Sequence, residues 1–259
     1  MSSVTARIQE IKQLYGGYIS PSQFEAYKLA DSQKLYKIEN LHPTIIGIVV
    51  DYLTRFSMGS PIFEAFSISI KGAIMAELLE GSNSKDIAVE LAKHIIELDD
   101  DSIINACKLV TFDSWLRNPI AAKTAKGWRE TNPDKETIHN IRTMVNRGIL
   151  FWKSAGPIIK DGFTFEPFGY TSTVDRGDGD FLTKDTLWDF KVSKYQPTSK
   201  HTLQLLMYWI MGQHSTKPEF KSIDKLGIFN PRLNTIYTLS LSKIDSKVIQ
   251  AVERDVICY

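Results

Sequence analysis

The chain has 259 residues, enough to bury a substantial core, either as one large domain or as a core with an accessory part. Hydrophobic residues make up 43% and charged residues 24%, and the net charge of only +1 leaves any nucleic-acid contact to local patches rather than to a global basic surface. No apolar run approaches the roughly 18–20 residues of a membrane span, which excludes a helical membrane protein.

In chain order, residues 4–15 have helical periodicity and end at Gly16-Gly17. Ser20 is a helix N-cap candidate with Pro21 in the first turn, so a helix is expected to run on to Tyr27. Thr44 to Arg55 reads as a helix apolar on one side. Its Asp51 has the chemistry of a hard-cation ligand and also stands four residues before Arg55, an ordinary surface pair. Residues 61–81 and 84–98 read as further helices. The triplet Asp99-Asp100-Asp101 then caps a helix starting at Ser102, because consecutive helical residues point in different directions and cannot share one ion.

Charge changes sign along the chain. Between Glu77 and Asp101 there are 8 acidic and 2 basic residues, a surface that should face away from phosphate. From Arg117 to Lys153 there are 8 basic and 3 acidic residues, interleaved with Trp115, Trp128 and Trp152. That stretch is either a nucleic-acid-contacting surface or a solvated helix whose tryptophans are core. Asn132-Pro133 breaks the chain before a long helix over Lys135 to Ser154. The boundary is therefore expected at about 130: a mostly helical N-terminal part over residues 1–130 and an α/β core over 131–259.

In the second part, Phe163 to Tyr170 alternates as a strand carrying Glu166. Leu187 to Val192 also alternates, with Trp188, Phe190 and Val192 on one face and Asp189 and Lys191 on the other. A hairpin with Lys184-Asp185 at its tip pairs residues whose numbers sum to 369, so Asp180 faces Asp189. Directly opposed carboxylates, with Cβ atoms about 4.5–5.5 Å apart, repel unless a cation lies between them. Hard divalent ions such as Mg²⁺ or Mn²⁺ suit such a pair, and Lys191 beside it supplies charge for a phosphoryl oxygen or an attacking water. The helical run after His201 stacks Gln204 and Tyr208 at i, i+4, a pair suited to a phosphate backbone, with Leu203, Leu206, Met207 and Ile210 towards the core. Leu226 to Arg232 and Thr235 to Leu241 read as a closing hairpin, and a last helix covers about 244–255.

Taken together, Gly177-x-x-Asp180, Asp189-Phe190-Lys191 and Gln204-x-x-x-Tyr208 resemble the PD-(D/E)XK nuclease superfamily, and within it the RecB-like branch. The resemblance implies a restriction-endonuclease-like α/β core, a mixed β-sheet flanked by helices with an αβββαβ order. It further implies divalent-metal-dependent cleavage of DNA in repair, recombination or phage-related processing, with Asp180, Asp189 and Lys191 catalytic and Gln204 and Tyr208 on the DNA. That branch often adds a glutamate before the G-x-x-D strand and a histidine in an N-terminal helix as further metal ligands; Glu166 and Asp51 occupy those places here. The cysteine ligand of an iron–sulfur cluster that some members carry is missing.

Cys107 and Cys258 form no C-x-x-C and suit a reducing compartment. With no signal-peptide core at the N-terminus, a cytoplasmic location is expected. No phosphate-binding P-loop, H-E-x-x-H or G-x-S-x-G motif is present. The alternative to a nuclease is a catalytically silent module of the same fold that binds DNA or protein.

Overall fold

The computed structural model describes residues 2–13 and 15–259. The chain divides into two compact units, one of Met1–Ala30 with Trp152–Tyr259, the other of Asp31–Phe151. This differs from a division at residue 130. The first 30 residues join the sheet because they supply one of its edge strands.

The first unit is α/β. Its six-stranded mixed sheet uses β2 (Glu25–Lys28), β3 (Lys160–Phe163), β5 (Gly179–Leu182), β6 (Thr186–Phe190), β7 (Lys225–Asn230) and β8 (Thr235–Ser240). A small parallel pair is formed by β1 (Ser2–Ser3) and β4 (Val174–Arg176). The order across the sheet is β2-β8-β7-β6-β5-β3. All pairs are antiparallel except β6 with β7, which the helix Ser199–His214 connects in the usual crossover manner.

Both faces of the sheet are covered. On one, Leu182, Leu187, Leu226, Ile228 and Leu239 join Leu203, Leu206, Met207 and Ile210 of the Ser199–His214 helix in a core cluster. On the other, Phe181, Trp188 and Phe190 alternate with them, and Trp152 packs on Phe181 at 4.2 Å between ring centroids. Every residue of β6 is therefore buried, as a central strand between two packed layers requires. Gly227 stands opposite Trp188, where a Cβ would come within 2.3 Å of the indole, so only glycine lets that ring lie across the sheet.

The helix expected over Ser20 to Tyr27 is a single turn, Pro21–Gln23, capped by Ser20, after which Glu25–Lys28 pairs with β8. Sheet pairing outweighs the cap signal in so short a segment. The strand expected over Phe163 to Tyr170 ends at Phe163, and Glu166 lies on an exposed turn with Pro167, which has no N–H to give a ladder. The N-terminal helix spans Val4–Glu10 rather than residues 4–15; Leu14 lies outside the described residues.

The second unit is helical: Pro43–Ser57, Ile62–Ala65, Ser67–Glu80, Ser84–Lys93, Asp100–Leu109, Asp113–Arg117, Pro119–Ala122 and most of Lys135–Ala155. Asp99 caps the Asp100–Leu109 helix by accepting the Ser102 N–H at 2.7 Å, the role its position suggested. Asp113 is buried and accepts from the Tyr52 hydroxyl at 2.8 Å and from Ser69. Several cations of the basic stretch are met by carboxylates of this unit: Lys123 by Glu80, Arg142 by Asp100, Arg147 by Asp31. Among the described residues no helix is long and apolar enough to cross a membrane.

Candidate metal and phosphate site

The site grows from the β5–β6 hairpin. Its register pairs Phe181 with Trp188 and Leu182 with Leu187, so partners sum to 369 as the alternation requires. Lys184-Asp185 is an unusual tip, and the neighbouring chain holds it. The Asp185 carbonyl accepts from the N–H groups of Asp224 and Lys225 at 2.9 and 3.0 Å, and its carboxylate accepts from Lys225 Nζ at 2.7 Å. Thr183 and Thr186 close the turn, and Trp188 Nε1 donates to Thr183 Oγ1 at 3.0 Å.

The same register carries Asp180 alongside Asp189. There the backbone ladder stops and a side chain takes over, with the Phe190 N–H donating to Asp180 Oδ2 at 2.8 Å. Asp189 is 3% exposed. Its Oδ1 is paired with Lys191 Nζ at 2.9 Å, while its Oδ2 is buried with no hydrogen-bond partner. Burial pushes the Asp189 carboxyl up to about 6; Lys191 opposes that shift and the Asp180 charge adds to it. Asp189 lies on the Leu187 face of β6, the face covered by the Ser199–His214 helix.

That helix brings Gln204 and Tyr208 to the site. Gln204 Nε2 donates to Tyr208 Oη at 2.8 Å. Tyr208 is buried against Phe165, with its phenol near enough to Asp189, Asp180 and Asp178 for their charges to help burial raise its pKa. Tyr208 is thus a buried partner for Gln204, which is itself half-buried. Gly177, first residue of the G-x-x-D segment, is fixed by close approach. A Cβ there would meet Val4 at 2.7 Å, and its carbonyl accepts from the Tyr170 hydroxyl.

Two residues at the site carried no sequence signal strong enough to single them out. His201 forms a capping box with Thr198, accepting the Thr198 N–H on Nδ1 at 3.1 Å. Burial and then the Lys191 charge push its imidazole down to about 4, so the ring is neutral at physiological pH. Asn230, at the end of β7, binds the loop that follows Lys191 through its side-chain amide.

The structure brings together Asp180, Asp189, Lys191, Gln204 and Tyr208 on one face of the first unit. It does not gather Glu166 with Asp180 and Asp189, because among the described residues no group of three or more His, Cys, Asp or Glu side chains is poised to hold a metal. Asp51 belongs to the helical unit and is paired with Arg55 at 2.9 Å. Of the other aspartates near the motif, Asp175 lies in β4 beside Arg176, and Asp185 is occupied by the hairpin tip.

The donor set fits a hard divalent cation. Such an ion takes one or two carboxylates and completes its shell with water and phosphate oxygens. A buried carboxylate oxygen without a partner is costly, and coordination is one way to satisfy it. Two opposed acids whose mutual repulsion is only partly relieved by one ammonium group fit the same ion.

Comparison of this chain with protein-family models, with curated proteins and with solved structures gave no match. What the chain does is therefore argued from its own residues.

Proposed function

We propose that this protein is a divalent-metal-dependent deoxyribonuclease on the PD-(D/E)XK plan, with the motif layout of the RecB-like branch. The observation that carries the reading is Asp189: a buried carboxylate with one oxygen on Lys191 and the other unpartnered, beside Asp180. The chain order also supports it, a helix followed by three antiparallel strands, a crossover helix and a parallel strand.

In this reading Asp180 and Asp189 would hold Mg²⁺ or Mn²⁺, which when bound makes a water more acidic and offsets charge on phosphoryl oxygens. The Phe190 N–H fixes the Asp180 carboxylate, so that acid needs no reorganisation during the reaction. Lys191 keeps its ammonium at the Asp189 carboxylate while remaining partly open to solvent, where it stabilises negative charge developing on the phosphate and orients the attacking water. Gln204 spends one N–H on Tyr208 and keeps a second donor for a backbone phosphate oxygen. Neutral His201 adds no charge beside Lys191. The reading does not require Glu166 or Asp51.

The test is cleavage of plasmid and linear DNA with Mg²⁺ or Mn²⁺ by wild type, Asp189→Ala and Lys191→Ala. The expected result is activity in wild type only, with each variant down by about a hundredfold or more. Equal activity in all three removes this site from the chemistry. DNA binding without cleavage in any of them points instead to a catalytically silent module of the same fold.

A further inference from the structure

We infer that Tyr195 is a base-stacking platform that seats an unpaired nucleotide of single-stranded DNA beside the carboxylate site, an inference that rests on the nuclease reading above for its substrate class. Tyr195 is 78% exposed, yet its backbone is held on both sides. Its N–H donates to Ser193 Oγ at 3.0 Å. The Asn230 side-chain amide donates to the carbonyls of Ser193 and Tyr195 at 2.9 and 3.4 Å, while Asn230 Oδ1 accepts from the N–H groups of Arg232 and Leu233 at 3.0 and 3.2 Å. Asn230 is itself buried, so a fully engaged interior amide fastens a loop whose aromatic side chain is turned to solvent.

This loop stands at the catalytic end of the sheet. The Lys191 N–H donates to the Phe229 carbonyl at 2.9 Å, and Phe190 pairs with Phe229, so the loop continues directly from the strand that bears Asp189 and Asn230 ends the neighbouring parallel strand β7. The segment itself is basic. From residue 190 to residue 200 the chain has 3 lysines and no carboxylate. Stacking on an aromatic face is indifferent to sequence and requires an unstacked base, which a duplex does not offer. A ring on an ordered backbone also gives up little freedom when a base settles on it.

The experiment is equilibrium binding by fluorescence anisotropy in EDTA, where no metal-dependent cleavage intervenes. The probes are a labelled single strand of about 12 nucleotides and the corresponding duplex. Wild type is compared with Tyr195→Phe, Tyr195→Leu and Tyr195→Ala, each checked by thermal melting. Wild type and Tyr195→Phe should bind the single strand equally. Tyr195→Leu and Tyr195→Ala should bind it about tenfold more weakly, with duplex binding changed less than about twofold. Single-strand binding by Tyr195→Ala as tight as wild type overturns the inference. So does equal loss on both probes, or no single-strand binding by wild type. Because no cleavage is read, a failed nuclease assay leaves this result intact, and the reverse also holds.

Discussion

The Phe190 N–H donates to Asp180 Oδ2 at 2.8 Å, so the two strands that carry the site acids are joined through one of those acids. Asp180 is thereby a structural hydrogen-bond acceptor as well as a proposed metal ligand, and the two roles separate by substitution. Asp180→Asn keeps an acceptor and loses the charge; Asp180→Ala loses both and leaves a buried strand-end N–H unpaired. Thermal or urea denaturation should show Asp180→Ala destabilised by about 1–3 kcal/mol and Asp180→Asn near wild type, while both lose cleavage. Equal stability of the two variants would mean that the side-chain bond contributes nothing to the hairpin.

The buried Asp189 carboxyl couples stability to pH and, in its proposed role as a ligand, to metal. Its pKa in the folded protein is about 6, above the ordinary 3.8, so the folded state holds that proton more tightly than the unfolded state. Its contribution to stability is therefore complete below about pH 4 and lost as pH rises through about 6. In EDTA, wild type should lose stability relative to Asp189→Asn between about pH 4 and 7, by about 1–3 kcal/mol from a shift of this size. Added Mn²⁺ should raise the melting temperature of wild type at pH 8, less at pH 5 where a proton competes for the carboxylate, and not at all for Asp189→Asn. A melting curve insensitive to Mn²⁺ at pH 8 would remove the ion from this site.

Much of this hairpin was legible in the sequence because side-chain alternation and pairing register are matters of parity. Once Lys184-Asp185 is the tip, Phe181 must face Trp188, and Asp180 must lie by Asp189. The helix bearing Gln204 and Tyr208 was equally plain from its period. What escaped was set by distant partners. Glu25–Lys28 is a strand only because β8 offers it an edge, and nothing local in Glu-Ala-Tyr-Lys announces that. The Phe163–Tyr170 alternation is genuine, with Phe163 and Phe165 both buried, yet the ladder ends at Phe163 and the turn through Pro167 leaves Glu166 exposed. His201 and Asn230 act through backbone groups of their neighbours, a role that residue identity alone does not signal. The basic stretch after Arg117 shows the same limit, since Asp31, Glu80 and Asp100, which meet its cations, are remote in sequence.

Tyr208 and Gln204 give a prediction about binding rather than bond-breaking. Tyr208→Phe removes the acceptor of the 2.8 Å bond and frees the Gln204 amide to rotate, while the ring keeps its packing against Phe165. The cost to stability should be about 1 kcal/mol, the usual net value of one neutral hydrogen bond. Steady-state cleavage should show a higher KM with kcat little changed, because the phosphate-holding group is mispositioned while the acids and Lys191 stay in place. Gln204→Ala should give the same pattern without an added effect in the double variant. A fall in kcat alone would place the tyrosine hydroxyl in the chemical step instead.

Lys191 is paired with Asp189 as well as having a proposed role on substrate, and its removal should be visible without any DNA. Its ammonium opposes the burial-driven rise of the Asp189 pKa, so in Lys191→Met that carboxyl should move above its present value of about 6. The pH above which Mn²⁺ raises the melting temperature should then shift upward in Lys191→Met, since the ion must displace a more tightly held proton. Lys191→Arg should restore the pH of metal stabilisation, because the positive charge is kept. It should not restore cleavage, because a broad planar guanidinium cannot occupy the place of a compact ammonium 2.9 Å from Asp189 Oδ1. The expected loss in Lys191→Arg is about a hundredfold in kcat. Full activity in the arginine variant would show that the site asks only for charge there, and that Lys191 neither orients the water nor contacts the phosphate.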